Sequence, residues 1–464
     1  MSPHIVVVGG GVTGLTTAYR LRQLLPGAAI TLLEADHGLG GKIRSSAFAG
    51  VDALDEGPDA FLIRVPHAMN LAVELGLADQ ITSPAVGIAS VWWNGMHSIP
   101  EGLLLGVPTD LVKLARSDLL TWPGKLRAGL EPILPATGVG ADSVGLLIRR
   151  RFGKQVHERL VDPLIGSIYA ADTDRFSLAA VPQLFELADN NRSLLLGARR
   201  SRRKGSAAPA AAGPIFATLR GGMAALTHAL AQSLRTSGVT LATGRAVGAI
   251  ERSGPGWLVD GEFADAVVLA TPARTTAPLV AGLSANAAGA LAKFDHSSVV
   301  MLTIALPGDN WPEKYRHQSG YLVPKPVQKM VTATSFASSK WTHWQPTRPQ
   351  GGVILRISLG RDGHDVTDQA DETLTTAALD EVGHHLGLEL QPTEVRLGRW
   401  PGAFPQYRPG HAKRVLDIEA SLARDAAGVF VCGASYRGMG IPACVQQANS
   451  TAQVIANYLT AVRN

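Results

Sequence analysis

The chain has 464 residues and two cysteines, Cys432 and Cys444. Two thiols are too few for a disulfide framework, so a reducing compartment is expected, with both as packing residues. Apolar runs are short. The longest candidate, "IPEGLLLGVPTDLVKL", is broken by Gly106 and Pro108 and falls below the ~18 residues that cross a bilayer. A signal peptide is missing too, because strand-like "IVVV" begins at Ile5 with no charged segment or cleavage site before it. Charge is sparse at 17% and nets only +5, without the clustering of a nucleic-acid face. An anionic ligand or a membrane surface suits that balance equally well. There is no G-x-S-x-G elbow and no C-x-x-C pair. The adjacent His384 and His385 have no second cluster at metal-ligand spacing, so both are expected to be solvated and no metal is expected. With 46% hydrophobic residues, and 50 glycines and 28 prolines in no repeating period, the composition is that of a folded protein. Its length favours two or three domains.

Glycine is where the sequence becomes specific. In "HIVVVGGGVTGLTTAYRLR", Gly9, Gly11 and Gly14 form G-x-G-x-x-G between an apolar strand and a helix whose Leu15, Ala18, Leu21 and Leu25 recur at helical spacing. The first glycine permits a tight bend, the second lets a pyrophosphate touch the main chain, and the third lets helix and strand pack closely. Val12 then lies in the first helical turn, where free N–H groups face phosphates. Such a motif needs an acid about 20 residues on to take ribose hydroxyls, and "AAITLLEAD" supplies Glu34. The next stretch, "EADHGLGGKIRS", adds Gly40, Gly41, Lys42 and Arg44, a second close-approach loop with two cations.

Two distant segments have the same character. "VTLATGRAVGAIERSGPGWLVDGEFADAVVLATP" reads as several short strands ending at Thr271 and Pro272. "GVFVCGASYRGMGIPACVQQANSTAQVIANYL" reads as strand, glycine-rich loop and helix, with Pro442 suited to a first helical turn. Residues near 100 to 195 have helical spacing, and Asp142 or Ser143 can cap the helix that starts "SVGLLIRRRF". The stretch Gly197 to Pro214 is basic and then low in complexity, and is expected to be a mobile solvated loop. From 291 to 399, "SSVVMLTIAL", "KMVTATSFAS" and "GGVILRISLG" read as strands, and "ETLTTAALDEVGHHLG" as a helix.

The order Glu34, five residues, Gly40, Gly41, Lys42 resembles enzymes of the amine oxidase and porphyrinogen oxidase group that hold FAD in an extended form. Together, "GGGVTGL", "LLEADHGLGGKIRS", "EGPDAFLIR", "LVDPLIGSIYAADTDRFSL", "GRWPGAFPQYRPGH" and "CGASYRGMGIPACVQQA" resemble the flavin-dependent porphyrinogen oxidases of haem biosynthesis over nearly the whole chain. The likeness is greatest to the soluble Gram-positive type associated with coproporphyrinogen III.

The resemblance implies an α/β fold of α+β character: a Rossmann-like FAD-binding domain from 1–65, 215–290 and 400–464, a substrate-binding domain from 66–99 and 291–399, and a helical domain from 100–214. It implies noncovalent FAD, O2 as acceptor, and a six-electron oxidation in three turnovers with three H2O2 released. Gly57 and Pro58 would lie at the flavin edge, Val247 near the adenine and Trp400 near the cofactor. Gly433, Gly440 and Ile441 would bring a helix N-terminus to the ring, where its positive end favours the reduced, anionic flavin. Tyr169 would line the substrate pocket, and Arg64 and Arg437 would meet propionates, which a planar guanidinium fits well. Where amine oxidases often tether flavin through a Cys, "GASYRG" has Tyr436. The chain departs from the family at Ser167 and Ala171, where relatives have glycines, and at Val65, where some carry a basic residue. Protoporphyrinogen IX is the second candidate substrate. A different flavin amine oxidase or desaturase, and a FAD-binding partner of haem-pathway enzymes, are also compatible with these motifs. A cytoplasmic protein with at most peripheral membrane contact and no nucleic-acid partner is expected.

Overall fold

A computed structural model describes residues 2–135, 143–206, 214–309, 311–346 and 352–463. Its first layer is a five-stranded parallel sheet in the order Thr240–Ala242, Ala29–Leu33, His4–Val8, Ala266–Leu269, Val429–Val431. The central strands, "HIVVV" and "AVVL", are apolar on both faces because both faces are covered. On one face lie helices Val12–Leu24, Ala224–Thr236 and Ile441–Arg463, which bury Leu15, Leu21, Leu226, Leu230, Val445 and Ile455. On the other lie a three-stranded antiparallel meander, anchored by the buried Trp257, and helix His411–Asp425.

A second, seven-stranded sheet runs Glu394–Gln406, Asp295–Leu306, Val353–Leu359, Val331–Phe336, Gly320–Leu322, Ala89–Trp92, Met96–Ser98. Helix Asp371–Leu386 packs against it through Leu374, Ala378, Val382 and Leu386. The third part is helical, with its own core that includes Leu147, Ile148, Phe152, Ile165 and Leu184. Among the described residues no helix is long and apolar enough to cross a membrane.

Several expectations are corrected. Residues 66–99 do not stay together: helix Pro66–Glu74 buries Ala68, Leu71 and Ala72 in the core of the five-stranded sheet, while Ala89–Trp92 joins the seven-stranded one. Residues 400–406 also belong to the larger sheet, since Trp400 to Gln406 pair with Val299 to Asp295. The basic stretch from Gly197 is not a loop at its start. It continues helix Leu194–Ser206, because Leu194, Leu195 and Ala198 have an apolar core to enter. Residues 207–213 lie outside the described residues, as does Asp142, and Ser143 is the residue that caps, accepting from Leu146 N at 3.3 Å. His384 is exposed as expected, but His385 is buried against Trp92, with ring centroids 4.0 Å apart, and its Nδ1 contacts the Tyr321 hydroxyl at 3.2 Å. Burial pushes its pKa down to about 4.

Candidate cofactor and substrate site

The two glycine loops meet beyond the carboxyl ends of the parallel strands, the position where open α/β sheets bind ligands. Gly40 N donates to Gly10 O at 2.8 Å, and Gly11 and Gly40 form an isolated parallel bridge. A Cβ on Gly41 would come 3.3 Å from the Gly11 Cα, one on Gly14 would fall on the Gly9 carbonyl oxygen, and one on Gly9 would sit 2.9 Å from the Ala270 oxygen. A Cβ on Gly11 would meet nothing within 4 Å. Two of the three motif glycines are therefore required by protein packing, and the second faces open space.

Glu34 stands at the end of its strand with both carboxylate oxygens on main-chain donors, Gly10 N at 2.5 Å and Asp36 N at 2.8 Å. Gly244 N and Arg245 N donate to the carbonyls of Asp36 and Glu34, which brings the turn before Val247 to the same end of the sheet. Val247 packs on the core beneath the meander. Val12 opens the first helix, and Gly433, at φ +123°, lies where a Cβ would come 3.9 Å from Thr13 Oγ1. Gly440 and Ile441 lead into the last helix, with Ile441 buried in the shared core.

A second cluster forms where the GG loop meets the larger sheet. Lys42 Nζ donates to the Ala403 carbonyl, and burial lowers its pKa to about 8. Gly57 packs under the same loop, where a Cβ would fall on the Lys42 carbonyl and come 3.6 Å from the Trp400 ring. Arg44 lies 5.9 Å from that ring and pairs with Asp36 at 2.8 Å. The Trp400 Nε1–H is buried without a hydrogen-bond partner, an open donor beside these residues. Pro58 is exposed at the rim.

Support for this loop comes from residues that sequence reading missed. Asp59 pairs with Lys340 at 3.0 Å and Arg356 at 3.4 Å and accepts from the Trp341 indole at 3.1 Å; burial opposes its charge, yet these partners hold the carboxyl well below its usual range. Arg356 also donates to Gly57 O at 2.6 Å. Arg274 bonds the carbonyls of Pro401 and Gly402, and Phe404 follows on the same strand. Asp55 is fully buried, with one oxygen on Ser45 Oγ at 2.5 Å and Met223 N at 2.8 Å and the other unpartnered; burial pushes its pKa up to about 7. Apart from Ser45 with Asp55, these contacts link residues far apart in the chain and leave no local pattern to read.

On the substrate side, Tyr169 is half-buried and tilted against Phe176, with ring centroids 4.8 Å apart, and Phe176 stacks on Tyr407. Burial raises the Tyr169 pKa. Tyr407 donates to Ala434 O and accepts from Gly438 N, so this aromatic row abuts the C-terminal glycine loop. Gly166, Ser167, Ala170, Arg361 and Phe404 line a cavity of about 20 Å³ between helix Asp162–Tyr169 and the larger sheet. Ala171 is buried and its carbonyl accepts from Arg361, so a side chain is accommodated at this position. Arg64 is exposed and has no ion pair among the described residues. Arg437 is not brought to this row: its guanidinium binds Glu419 through two nitrogens, because helix His411–Asp425 places that carboxylate beside it. Cys432 and Cys444 are buried and unbridged, with both thiol pKa values raised by burial, Cys432 to about 12. Among the described residues no group of side chains could hold a metal ion.

Comparison with known proteins fits this geometry. The model of the family described as "Flavin containing amine oxidoreductase" matches residues 12–456. The coproporphyrinogen III oxidase of Bacillus subtilis (strain 168) is 30% identical, over 98% of each chain. That of Mycobacterium tuberculosis (strain H37Rv) is 34% identical, again over 98% of each. The crystal structure of an Exiguobacterium protein assigned as a protoporphyrinogen oxidase superposes with a TM-score of 0.87 at 27% identity, covering 98% of this chain and 99% of that one.

Proposed function

Because the chain belongs to the flavin containing amine oxidoreductase family, we propose that it is an oxygen-dependent oxidase converting coproporphyrinogen III to coproporphyrin III. The observation that carries this reading is end-to-end similarity to coproporphyrinogen III oxidases at 30–34% identity. The residues suit FAD. Open space at Gly11, the helix that begins beside it, the acid Glu34 and the unpartnered Trp400 donor are what a pyrophosphate, a ribose and a ring system would use. Bound there, flavin supplies a two-electron acceptor that O2 reoxidises, and three rounds with three O2 and three H2O2 account for the six electrons.

Gly9, Gly11, Val12, Gly14 and Glu34 hold the nucleotide end, with Val247 beside it. Gly41, Lys42, Gly57, Pro58 and Trp400 hold the ring from the side of the larger sheet, and Gly433, Gly440 and Ile441 from the last helix. Orientation of a bulky tetrapyrrole is the main contribution asked of the protein, since the substrate gains aromaticity on oxidation. Tyr169 supplies an apolar wall and Arg64 a cation for a propionate. Arg437 does not join them, because Glu419 already answers its charge. The cofactor is held without a covalent tether, a reading supported by the burial of both thiols. Acid precipitation should leave the flavin in the supernatant.

The relative assigned as a protoporphyrinogen oxidase keeps protoporphyrinogen IX as the second reading. The deciding experiment mixes the protein in air with each porphyrinogen and follows porphyrin fluorescence above the enzyme-free rate. A preference for coproporphyrinogen of about tenfold, or ~1.4 kcal/mol in transition-state binding, is expected. Faster oxidation of protoporphyrinogen would transfer the protein to the second reading, and no acceleration of either would reject both.

A further inference from the structure

Helix Asp162–Tyr169 ends at Ala170 in the left-handed region, at φ +46°, a conformation an alanine keeps only where its surroundings enforce it. Groups from the larger sheet and its turns do so. Ser297 Oγ donates to the Ala170 carbonyl at 2.9 Å and Asp362 N at 2.8 Å. Arg361 donates to the Ala171 carbonyl, and Gln406 Nε2 to the Tyr169 carbonyl at 3.1 Å.

Gln406 does more than hold this turn. It is 3% exposed, and its Nε2 also faces Ser297 Oγ at 2.8 Å, Phe404 O at 3.2 Å and Ala170 O at 3.5 Å. Carbonyls, and a hydroxyl that already donates to Ala170, admit only the NH2 group there, which fixes the orientation of the amide. Oε1 therefore points away from them, buried and with no donor among the described residues. A buried acceptor left unmet costs free energy, so it marks the place of a missing donor. Gln406, Phe404 and Ser297 share one face of the strand pair Asp295–Leu306 and Glu394–Gln406, since Phe404 stands two residues from Gln406 and opposite Ser297. Phe404 lines the small cavity with Ser167, and Tyr169 leads the aromatic row of Phe176 and Tyr407. The open acceptor is thus on the face turned to the substrate side.

A porphyrinogen supplies a donor of the right kind. Its meso carbons are tetrahedral, so its pyrrole rings tilt and turn N–H groups out of the macrocycle plane. Oxidation removes one hydrogen from each of four meso carbons and two from nitrogen, and the flat porphyrin keeps its remaining N–H groups in plane. On the strength of the porphyrinogen reading, we propose that Gln406 Oε1 accepts a hydrogen bond from a pyrrole N–H of the bound substrate. Gln406 is then the residue that distinguishes porphyrinogen from porphyrin. A site built to meet an N–H rejects a ligand that cannot offer one, because its own polar atom is left unpaired.

The test uses the full, flavin-loaded chain and compares the KM for coproporphyrinogen III with the inhibition constant of its product, coproporphyrin III. In the parent the product should bind about tenfold more weakly than the substrate, and equal affinity would overturn the proposal whatever the variants do. Gln406→Met keeps the length of the side chain and removes the acceptor. It should raise KM about tenfold with the product's inhibition constant held within about twofold. Ser297→Ala loosens the same turn but keeps Oε1, so it should move both constants together. A like rise of both in Gln406→Met would show that the amide serves the turn alone and would overturn the proposal. So would loss of flavin from Gln406→Met on desalting, which would give the oxygen to the cofactor. A parent that accelerates the oxidation of no porphyrinogen rejects the underlying reading, and this role of Gln406 with it.

Discussion

The nucleotide side of the candidate site and its substrate side are assembled differently. On the first, Gly9, Gly14 and Gly40 bring main chain against main chain, and each contact rests on the absence of a side chain. On the second, Asp59, Lys340, Trp341 and Arg356 hold the Gly57 loop through charged and aromatic side chains, at separations of 281 to 299 residues. The first kind of contact tolerates no added atoms, and the second tolerates no missing partner.

The most severe test of that contrast is Asp59→Ala, which leaves two cations facing each other in a poorly solvated place. It is expected to cost about 3–5 kcal/mol in denaturant unfolding. A loss below ~1 kcal/mol would show that the network is dispensable and the comparison wrong. Next comes a pair. Gly14→Ala should destabilise the apoprotein by about 1–3 kcal/mol, because the new methyl overlaps the Gly9 carbonyl. Gly11→Ala should cost only about 0.5 kcal/mol at that capping position, yet abolish flavin retention on desalting, because its methyl would enter the space assigned to the cofactor. Equal flavin content in the parent and Gly11→Ala would remove the pyrophosphate from that spot.

A further effect concerns pH. Burial raises the Asp55 pKa to about 7, against ~3.9 in the unfolded chain. The folded state therefore binds its proton more tightly, and this contribution to stability is complete below pH ~4 and lost as pH rises through 7. Between pH 5 and 8 the parent should lose about 2–3 kcal/mol that Asp55→Asn does not lose. Parallel pH profiles for the two proteins would place the carboxyl in a better solvated environment than the structure gives it.

The nucleotide side was legible because a close backbone approach leaves a local trace: Gly9, Gly11, Gly14, Gly40 and Gly41 sit at fixed spacings around one strand, and Glu34 ends the next. The substrate side left little trace. Nothing in "EGPDAFLIR" reveals that Asp59 meets Lys340, or that Arg437 turns to Glu419 and away from the aromatic row. His385 read as a solvated residue because its helix shows which residues share a face but not that Trp92 comes to cover it. The stretch from Gly197 read as a loop from its charges, although Ala198, four residues after Leu194 and three after Leu195, gave the helix a buried face to continue on.

By itself, the sequence determined that a parallel sheet forms, that two glycine loops admit a phosphate-bearing ligand at its edge, and which family the chain resembles. The glycine loops and the acid between them lie within some forty positions of one another, where φ, Cβ volume and strand length act directly. Only the tertiary structure decided which cations keep their charge for a ligand and which carboxyls lose theirs to burial. Charge and hydrophobicity act through whatever neighbours the fold supplies, and those neighbours come from hundreds of residues away.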